Sequence, residues 1–359
     1  MLFRLAAVVA FAALSVASPI TEVARAIAEL PRLIVYFQTT HESNGKPISM
    51  LPLVNQKGIA LTHLIVCSLH VNKDGGIRLN DHPPSDPTFY TLWNETKVLK
   101  NAGVKVMGMV GGAAAGSFTS GTLDGDTATF NKYYGQLHDV IVKFQLQGLD
   151  LDVEQSMSQS GIERLVDKLR ADFGSGFIIT LAPVASALNG GNNLSGFNYK
   201  LLESRKGSKI NFYNGQFYSG FGSMASTQDY TNIVSKGFQV SKVVAGQLTS
   251  PNNGNGYIPY DKLNATVVSL RKKYGQIGGV MGWEYFNSVP GGTAEPWKWA
   301  QVMTQILRPN SVPILSITKG TADELTTAYQ QSRKASSTSS TMKLRQSSSD
   351  VDYYAMINA

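Results

Sequence analysis

An α/β fold of the (β/α)8 or TIM-barrel type is what this 359-residue chain predicts. Three observations predict it. Eight short apolar runs follow one another between Leu33 and Glu284, most of them near-continuous, as strands covered on both faces are. Helix-like segments with an apolar stripe separate many of them, and that alternation belongs to a parallel sheet. The patterned span, 31–308, is close to the roughly 250 residues of one such barrel.

The first run is LIVYFQ (33–38) and the second LTHLIVCSLHV (61–71). In DPTFYTLWNETKVLKNAG, Asp86 is placed to cap a helix, Pro87 suits its first position and Gly103 its stop. The third run is KVMGMVGG (105–112). The helix pattern after it puts Phe130, Tyr134, Leu137 and Val140 or Ile141 on one stripe. GLDLDVE (148–154) comes fourth, then the helical GIERLVDKLRADFG. FIITLAP (177–183), INFYNGQFYS (210–219), KVVAGQLTS (242–250) and GGVMGWE (278–284) complete the eight. The helical patterns YDKLNATVVSLRKKYG and PWKWAQVMTQIL flank the last of them. A doubly wound open sheet is disfavoured, because YFQTTHESNGK after the first strand is no Gly-rich phosphate loop.

The ends differ from this span. Residues 1–17 read as a secretory signal: Arg4 precedes the apolar run Leu5–Val16, and Ser15 to Ala17 are small. The run is too short for a membrane span, so the expectation is a secreted, extracellular, monomeric protein with no membrane partner. Residues 18–30, with Arg25 inside and Arg32 just beyond, form a connector or pro-segment, and 309–359 a Ser-rich flexible tail. Given export, the sequons at Asn94, Asn193 and Asn264 are glycosylation candidates. Cys67 is the one cysteine, so no disulfide staples the fold and the thiol is expected in the core. The net charge of +7 comes from scattered Lys and Arg without interleaved aromatics, which points away from nucleic acid. The five His show no metal-ligand spacing, and neither metal nor cofactor is expected.

The chemistry sits in QGLDLDVEQ (147–155). Side chains two apart on a strand share a face, so Asp150, Asp152 and Glu154 line one side while Leu149, Leu151 and Val153 line the other. In a barrel's fourth strand the acids would point inward, with Glu154 nearest the C-terminal mouth where barrel active sites lie. Carboxylates so close raise at least one pKa, and a carboxyl kept protonated can serve as a general acid toward a leaving oxygen. Glu154 is the expected donor. The Cα atoms of Asp152 and Glu154 lie about 6.6 Å apart at strand rise, which leaves the two carboxylate-only glycosidase geometries undistinguished.

GLDLDVE resembles the fourth-strand D-G-x-D-x-D-x-E motif of glycoside hydrolase family 18, with Gly148, Asp150, Asp152 and Glu154 in place and Gln147 for the first Asp. GMVGG resembles the third-strand S-x-G-G motif, keeping Gly111 and Gly112 with Met109 for Ser. GQFYS supplies Gln216 and Tyr218, GGVMGWE supplies Trp283, and the first strand supplies Tyr36, all in family order. Within the family, LPRLIVYFQTTH, VKVMGMVGGAA and GQIGGVMGWEYFNS are similar to secreted fungal endo-β-N-acetylglucosaminidases. The resemblance implies cleavage of the β-1,4 bond in the di-N-acetylchitobiose core of N-linked, high-mannose glycans. It also leaves a chitinase acting on chitin oligosaccharides, or a sugar-binding lectin-like barrel without activity. For catalysis it implies a retaining, substrate-assisted route. Glu154 would protonate the leaving oxygen and later activate water. Asp152 would hold the acetamido N–H, Asp150 would hydrogen-bond Asp152, and Tyr218 would donate to the acetamido oxygen. Trp283, Gln216, Tyr36 and Gly112 would bound the sugar site, the glycine chiefly through backbone shape. Gln147 would tune activity without abolishing it. Glu284 is turned the other way by strand parity and is left out.

Overall fold

A computed structural model describes residues 30–73, 76–311, 317–328 and 330–331. Its strands are β1 (Arg32–Phe37), β2 (His63–Asn72), β3 (Gly76–Leu79), β4 (Lys105–Gly111), β5 (Gly148–Asp152), β6 (Ile178–Leu181), β7 (Phe212–Gln216), β8 (Val243–Leu248) and β9 (Gly279–Trp283). Between and after them come α1 (Pro52–Asn55), α2 (Tyr90–Asn101), α3 (Thr127–Phe144), α4 (Gln159–Phe173), α5 (Ala185–Asn189), α6 (Tyr199–Lys206), α7 (Gln228–Ser235), α8 (Tyr260–Tyr274) and α9 (Lys298–Leu307). Eight strands pair in parallel in the order β1, β2, β4, β5, β6, β7, β8, β9, and β9 returns to β1, so the sheet is closed. Each matches one of the eight apolar runs within a residue or two at most ends. β3 was not legible as a strand: it folds back antiparallel on β2, extending a hairpin beyond the barrel mouth.

Alternation along each strand divides the core into two layers. Leu33, Val35 and Phe37 of β1, and Leu149 and Leu151 of β5, join the large outer cluster under the helices. Ile34 and Tyr36, with Met107, Met109 and Met281, fill a smaller inner cluster. The helices close the outer layer by their stripes. In α4, Ser158 caps the start by accepting from the Gly161 amide at 3.0 Å, Gly174 ends it, and Ile162, Leu165, Val166 and Leu169 are buried. Cutting Leu165 back to Ala would leave a cavity costing about 2–5 kcal/mol. In α3, Asp126 caps through the Thr129 amide, and Tyr133 joins the expected buried stripe. Asp86 caps a short 3-10 turn over Pro87–Phe89, so the regular helix α2 begins only at Tyr90.

The N-terminal end of the barrel interior is closed by bases rather than acids. The Arg32 guanidinium lies over the Phe212 ring at 4.3 Å and donates to Ser241 O at 2.7 Å. His63 meets the same ring edge-on at 5.3 Å. Burial, with Arg32 and Lys105 nearby, holds the imidazole pKa down to about 3.

Two expectations at the periphery change. The 309–359 tail is not flexible throughout: 319–328 is helical, the Ile317 amide donates to Val54 O at 3.3 Å, and Ala322 is fully buried. Two small anchors in a polar context are too weak a pattern to read from sequence. Asn94 is 5% exposed on the inner face of α2, so it is no acceptor for a bulky glycan in the folded chain, whereas Asn193 and Asn264 are exposed. The signal and the connector up to residue 29 lie outside the described residues. Cys67 is buried and free. Among the described residues no helix is long and apolar enough to cross a membrane.

Candidate active site

β5 carries Asp150 and Asp152 into the barrel, and Glu154 stands two residues past the strand end, half-buried at the mouth. Asp150 is wholly buried and accepts three hydrogen bonds: Tyr36 Oη at 2.6 Å, Thr180 Oγ1 at 2.5 Å and Asn214 Nδ2 at 3.1 Å. Those donors come from β1, β6 and β7, so four strands converge on one carboxylate. Burial pushes its pKa up and the three bonds pull it back.

Asp152 behaves differently. Burial first, then the like charges of Glu154 and Asp150, hold its carboxyl well above the usual range. It is hydrogen-bonded to Glu154, a contact between two carboxyls that requires a proton shared between them. The expected bond from Asp150 to Asp152 is absent among the described residues. Asp150 is already engaged by three donors, so Asp152 turns toward Glu154 and toward Gln216, whose Nε2 donates at 3.1 Å. Gln216 also reaches Glu154 Oε1 at 3.4 Å and Ala182 O at 2.9 Å, which fixes its amide between the two acids.

The remaining expected residues gather around this pair. Tyr218 is in the inner cluster, and its phenol is raised by burial and by the three acids. Its hydroxyl has no hydrogen-bond partner among the described residues. Trp283, last in β9, is half-buried with its ring 5.7 Å from that of Tyr36 and tilted 60° to it. At Gly111 (φ 105°) a Cβ would fall 2.2 Å from Asp152 O, and the Gly112 amide donates to that oxygen at 2.9 Å. The glycine pair therefore lets the β4 backbone close against Asp152. Gln147 lies at the far end of the strand, where its Oε1 accepts from the Val106 amide at 2.9 Å. An amide oxygen makes that ladder-extending bond as a carboxylate would.

Sequence reasoning missed two contributors. Thr180 was one polar letter in FIITLAP, and only the barrel brings it to Asp150. Glu284, left out on strand parity, is buried and accepts from the Gln38 and Thr39 amides at 3.2 and 2.8 Å and from Thr39 Oγ1 at 2.9 Å. It ties the loop after β1 to the residue beside Trp283. Among the described residues no His, Cys, Asp and Glu group could hold a metal.

Buried acids, a poised amide and phenol, and an aromatic platform at a barrel mouth make a site for protonating a glycosidic oxygen. The family model for glycosyl hydrolases family 18 matches residues 32–241. Endochitinase 4 of Metarhizium anisopliae is 24% identical over 211 residues, 52% of this chain and 72% of the relative. A solved fungal endo-β-N-acetylglucosaminidase of family 18 is 68% identical, with TM-score 0.78, over 79% of this chain and all of that one. The chitinase ChiC of Aspergillus fumigatus is 49% identical, with TM-score 0.70, over 76% of this chain and 98% of that one. The chain belongs to glycosyl hydrolase family 18.

Proposed function

We propose that this hydrolase cleaves the β-1,4 bond between the two N-acetylglucosamine residues at the core of N-linked glycans, of the high-mannose class. One observation carries the mechanism: Asp152 and Glu154 are held side by side by the Gln216 amide, which donates to both, so neither is set apart as a free nucleophile. The substrate's own acetamido oxygen takes that role. As Asp152 turns to the acetamido N–H, the shared proton passes to Glu154. Glu154 gives it to the leaving oxygen while the acetamido oxygen bonds to the anomeric carbon and the glycosidic bond breaks, forming an oxazolinium ion. Asp152, left as a carboxylate, accepts from the acetamido N–H and balances the positive charge. Tyr218, with its unused hydroxyl, donates to the acetamido oxygen. Water then adds to the anomeric carbon as its bond to the acetamido oxygen breaks, the water's proton goes to Glu154, and the configuration is retained.

The choice of glycan is supported by the 68% likeness to the fungal endo-β-N-acetylglucosaminidase. A chitinase is the second reading, favoured by the 49% likeness to ChiC. Incubation with a high-mannose glycoprotein and, separately, with chitin oligomers decides between them. Release of the glycan with one N-acetylglucosamine left on the protein is expected; cleavage of the oligomers alone would reverse the assignment. The same proposal puts the enzyme outside the cell, and its recovery from culture medium lacking residues 1–17 is the corresponding check.

A further inference from the structure

β7, β8 and β9 are neighbours in the sheet, so the loop after β8 stands between two walls of the site. Tyr218 follows β7 by two residues, and Trp283 ends β9. The loop, TSPNNGNGYIP (249–259), leads from β8 to α8. It opens with a 3-10 turn, Pro251–Asn253, capped by Ser250 through the Asn252 amide. Its letters read only as a turn-rich connection.

On one side the loop holds the backbone that carries the Trp283 indole. Asn253 Nδ2 donates to Trp283 O at 3.0 Å and to Thr249 Oγ1 at 3.1 Å. The Thr249 amide reaches the same Trp283 carbonyl at 2.9 Å, and the Thr249 hydroxyl donates to Glu284 O at 2.5 Å. From the loop after β9, Asn287 Nδ2 donates to Asn253 Oδ1 at 2.5 Å. With its oxygen and its nitrogen both engaged, the Asn253 amide keeps one orientation.

On the other side the loop seats Tyr218. The Ser219 amide donates to Asn255 O at 2.8 Å. A Cβ added to Gly256 would stand 3.2 Å from Tyr218 Cα and 3.4 Å from Tyr218 Cβ, tighter than carbons ordinarily pack. Gly256 also has φ 97°, a conformation that favours glycine. The missing side chain therefore lets the loop lie flush against Tyr218. The Tyr218 hydroxyl has no hydrogen-bond partner among the described residues, so its place is set by packing in the inner cluster and by its backbone. A reacting group misplaced by about 1 Å can cost about 10²-fold in rate, so a seat of this kind bears on catalysis.

We infer that the loop after β8 is a positioning clamp for the reaction, in which Gly256 sets the phenol of Tyr218 and Asn253 the platform of Trp283. The clamp acts through the roles proposed above for Tyr218 and Trp283. It serves either glycan reading, since both substrates carry the acetamido group. The test measures kcat and KM on the high-mannose glycoprotein or the chitin oligomers, whichever the wild type cleaves. Gly256→Ala should lower kcat about tenfold with KM little changed, and Asn253→Ala should raise KM about threefold with kcat little changed. Each loss should vanish in its matching background. Gly256→Ala should add less than about twofold to Tyr218→Phe, and Asn253→Ala less than about twofold to Trp283→Ala. Gly237→Ala calibrates backbone strain: Gly237 has φ 102°, nothing lies within 4 Å of an added Cβ, and it precedes β8 at the opposite end of the barrel. Its kcat and KM should match the wild type. A loss that persists in full in its matching background, or that Gly237→Ala reproduces, overturns the inference. Asn253→Ala adds no backbone strain, so an unchanged KM in that variant overturns the clamp even if Gly256→Ala does not fold. If Tyr218→Phe keeps the wild-type kcat, the catalytic role of Tyr218 fails first, and the Gly256 half of the clamp fails with it.

Discussion

The two ends of the barrel interior bury opposite charges and treat them differently. At the N-terminal end, Arg32 donates to Ser241 O and covers Phe212. There the Thr62 hydroxyl donates its one proton to Leu33 O, so His63 Nδ1 must be the donor in its 2.8 Å contact with that hydroxyl. At the C-terminal end three acids share too few donors. Tyr218 keeps an unused hydroxyl, and Asn214 Oδ1 is buried with no partner. An end whose polar groups are satisfied contributes stability, and an end left partly unsatisfied can bind and react.

The largest break in this comparison is Glu154→Gln. Hydrolysis should fall by about 10²–10⁴-fold while the melting temperature stays near that of the wild type. A variant retaining a tenth or more of the activity would remove Glu154 from the acid role.

Next comes pH. The imidazole of His63 has a folded pKa of about 3, against an unfolded value near 6.5. The stability of the neutral form is therefore present above pH 6.5 and lost as pH falls toward 3, by on the order of 5 kcal/mol when complete. The shift on Asp152 has the opposite sense. Its folded pKa is raised, so its contribution is present below the ordinary carboxylate range and lost as pH rises through the folded value. Melting curves from pH 3 to 8 should show His63→Leu relieving the acid-side loss and Asp152→Asn the loss on the other side. Identical pH profiles in both variants would erase the distinction between the two ends.

Thr180→Val removes one donor from Asp150 without changing side-chain volume much. Urea unfolding should show a loss of about 1–3 kcal/mol. Trp283→Ala, at the rim, should raise KM about tenfold through lost stacking while lowering stability less than a core substitution would. The smallest expected effect is Gln147→Asp, within about 1 kcal/mol by the same unfolding measurement, since either side chain can accept from the Val106 amide.

The barrel strands and the inward row of β5 were legible because alternation with a period of two is local. Leu149, Leu151 and Val153 had to face the helices, and the acids therefore the axis. Gln216 and Tyr36 were placed at the site only by the family resemblance, and the bonds that hold Asp150 were not legible from any local pattern. Tyr36, Thr180 and Asn214 lie 114, 30 and 64 residues from Asp150, and nothing local announces that they converge. The bond expected between Asp150 and Asp152 failed for the same reason: spacing along one strand says nothing of competing donors from three others. Asn94 shows the reverse case, a sequon correct in its letters whose burial depends on which helix face meets the barrel.

By itself the sequence determined that this chain alternates strands and helices, that three carboxylates share a face, and that Glu154 stands last. Those follow from periodicity, which each segment carries alone. Only the tertiary structure decided what each acid is bonded to, because that depends on burial and on donors brought in by other strands. It also decided that Glu284 anchors the loop after β1 and that the loop after β8 braces both Tyr218 and Trp283. Contacts between distant segments exist only once the sheet has closed.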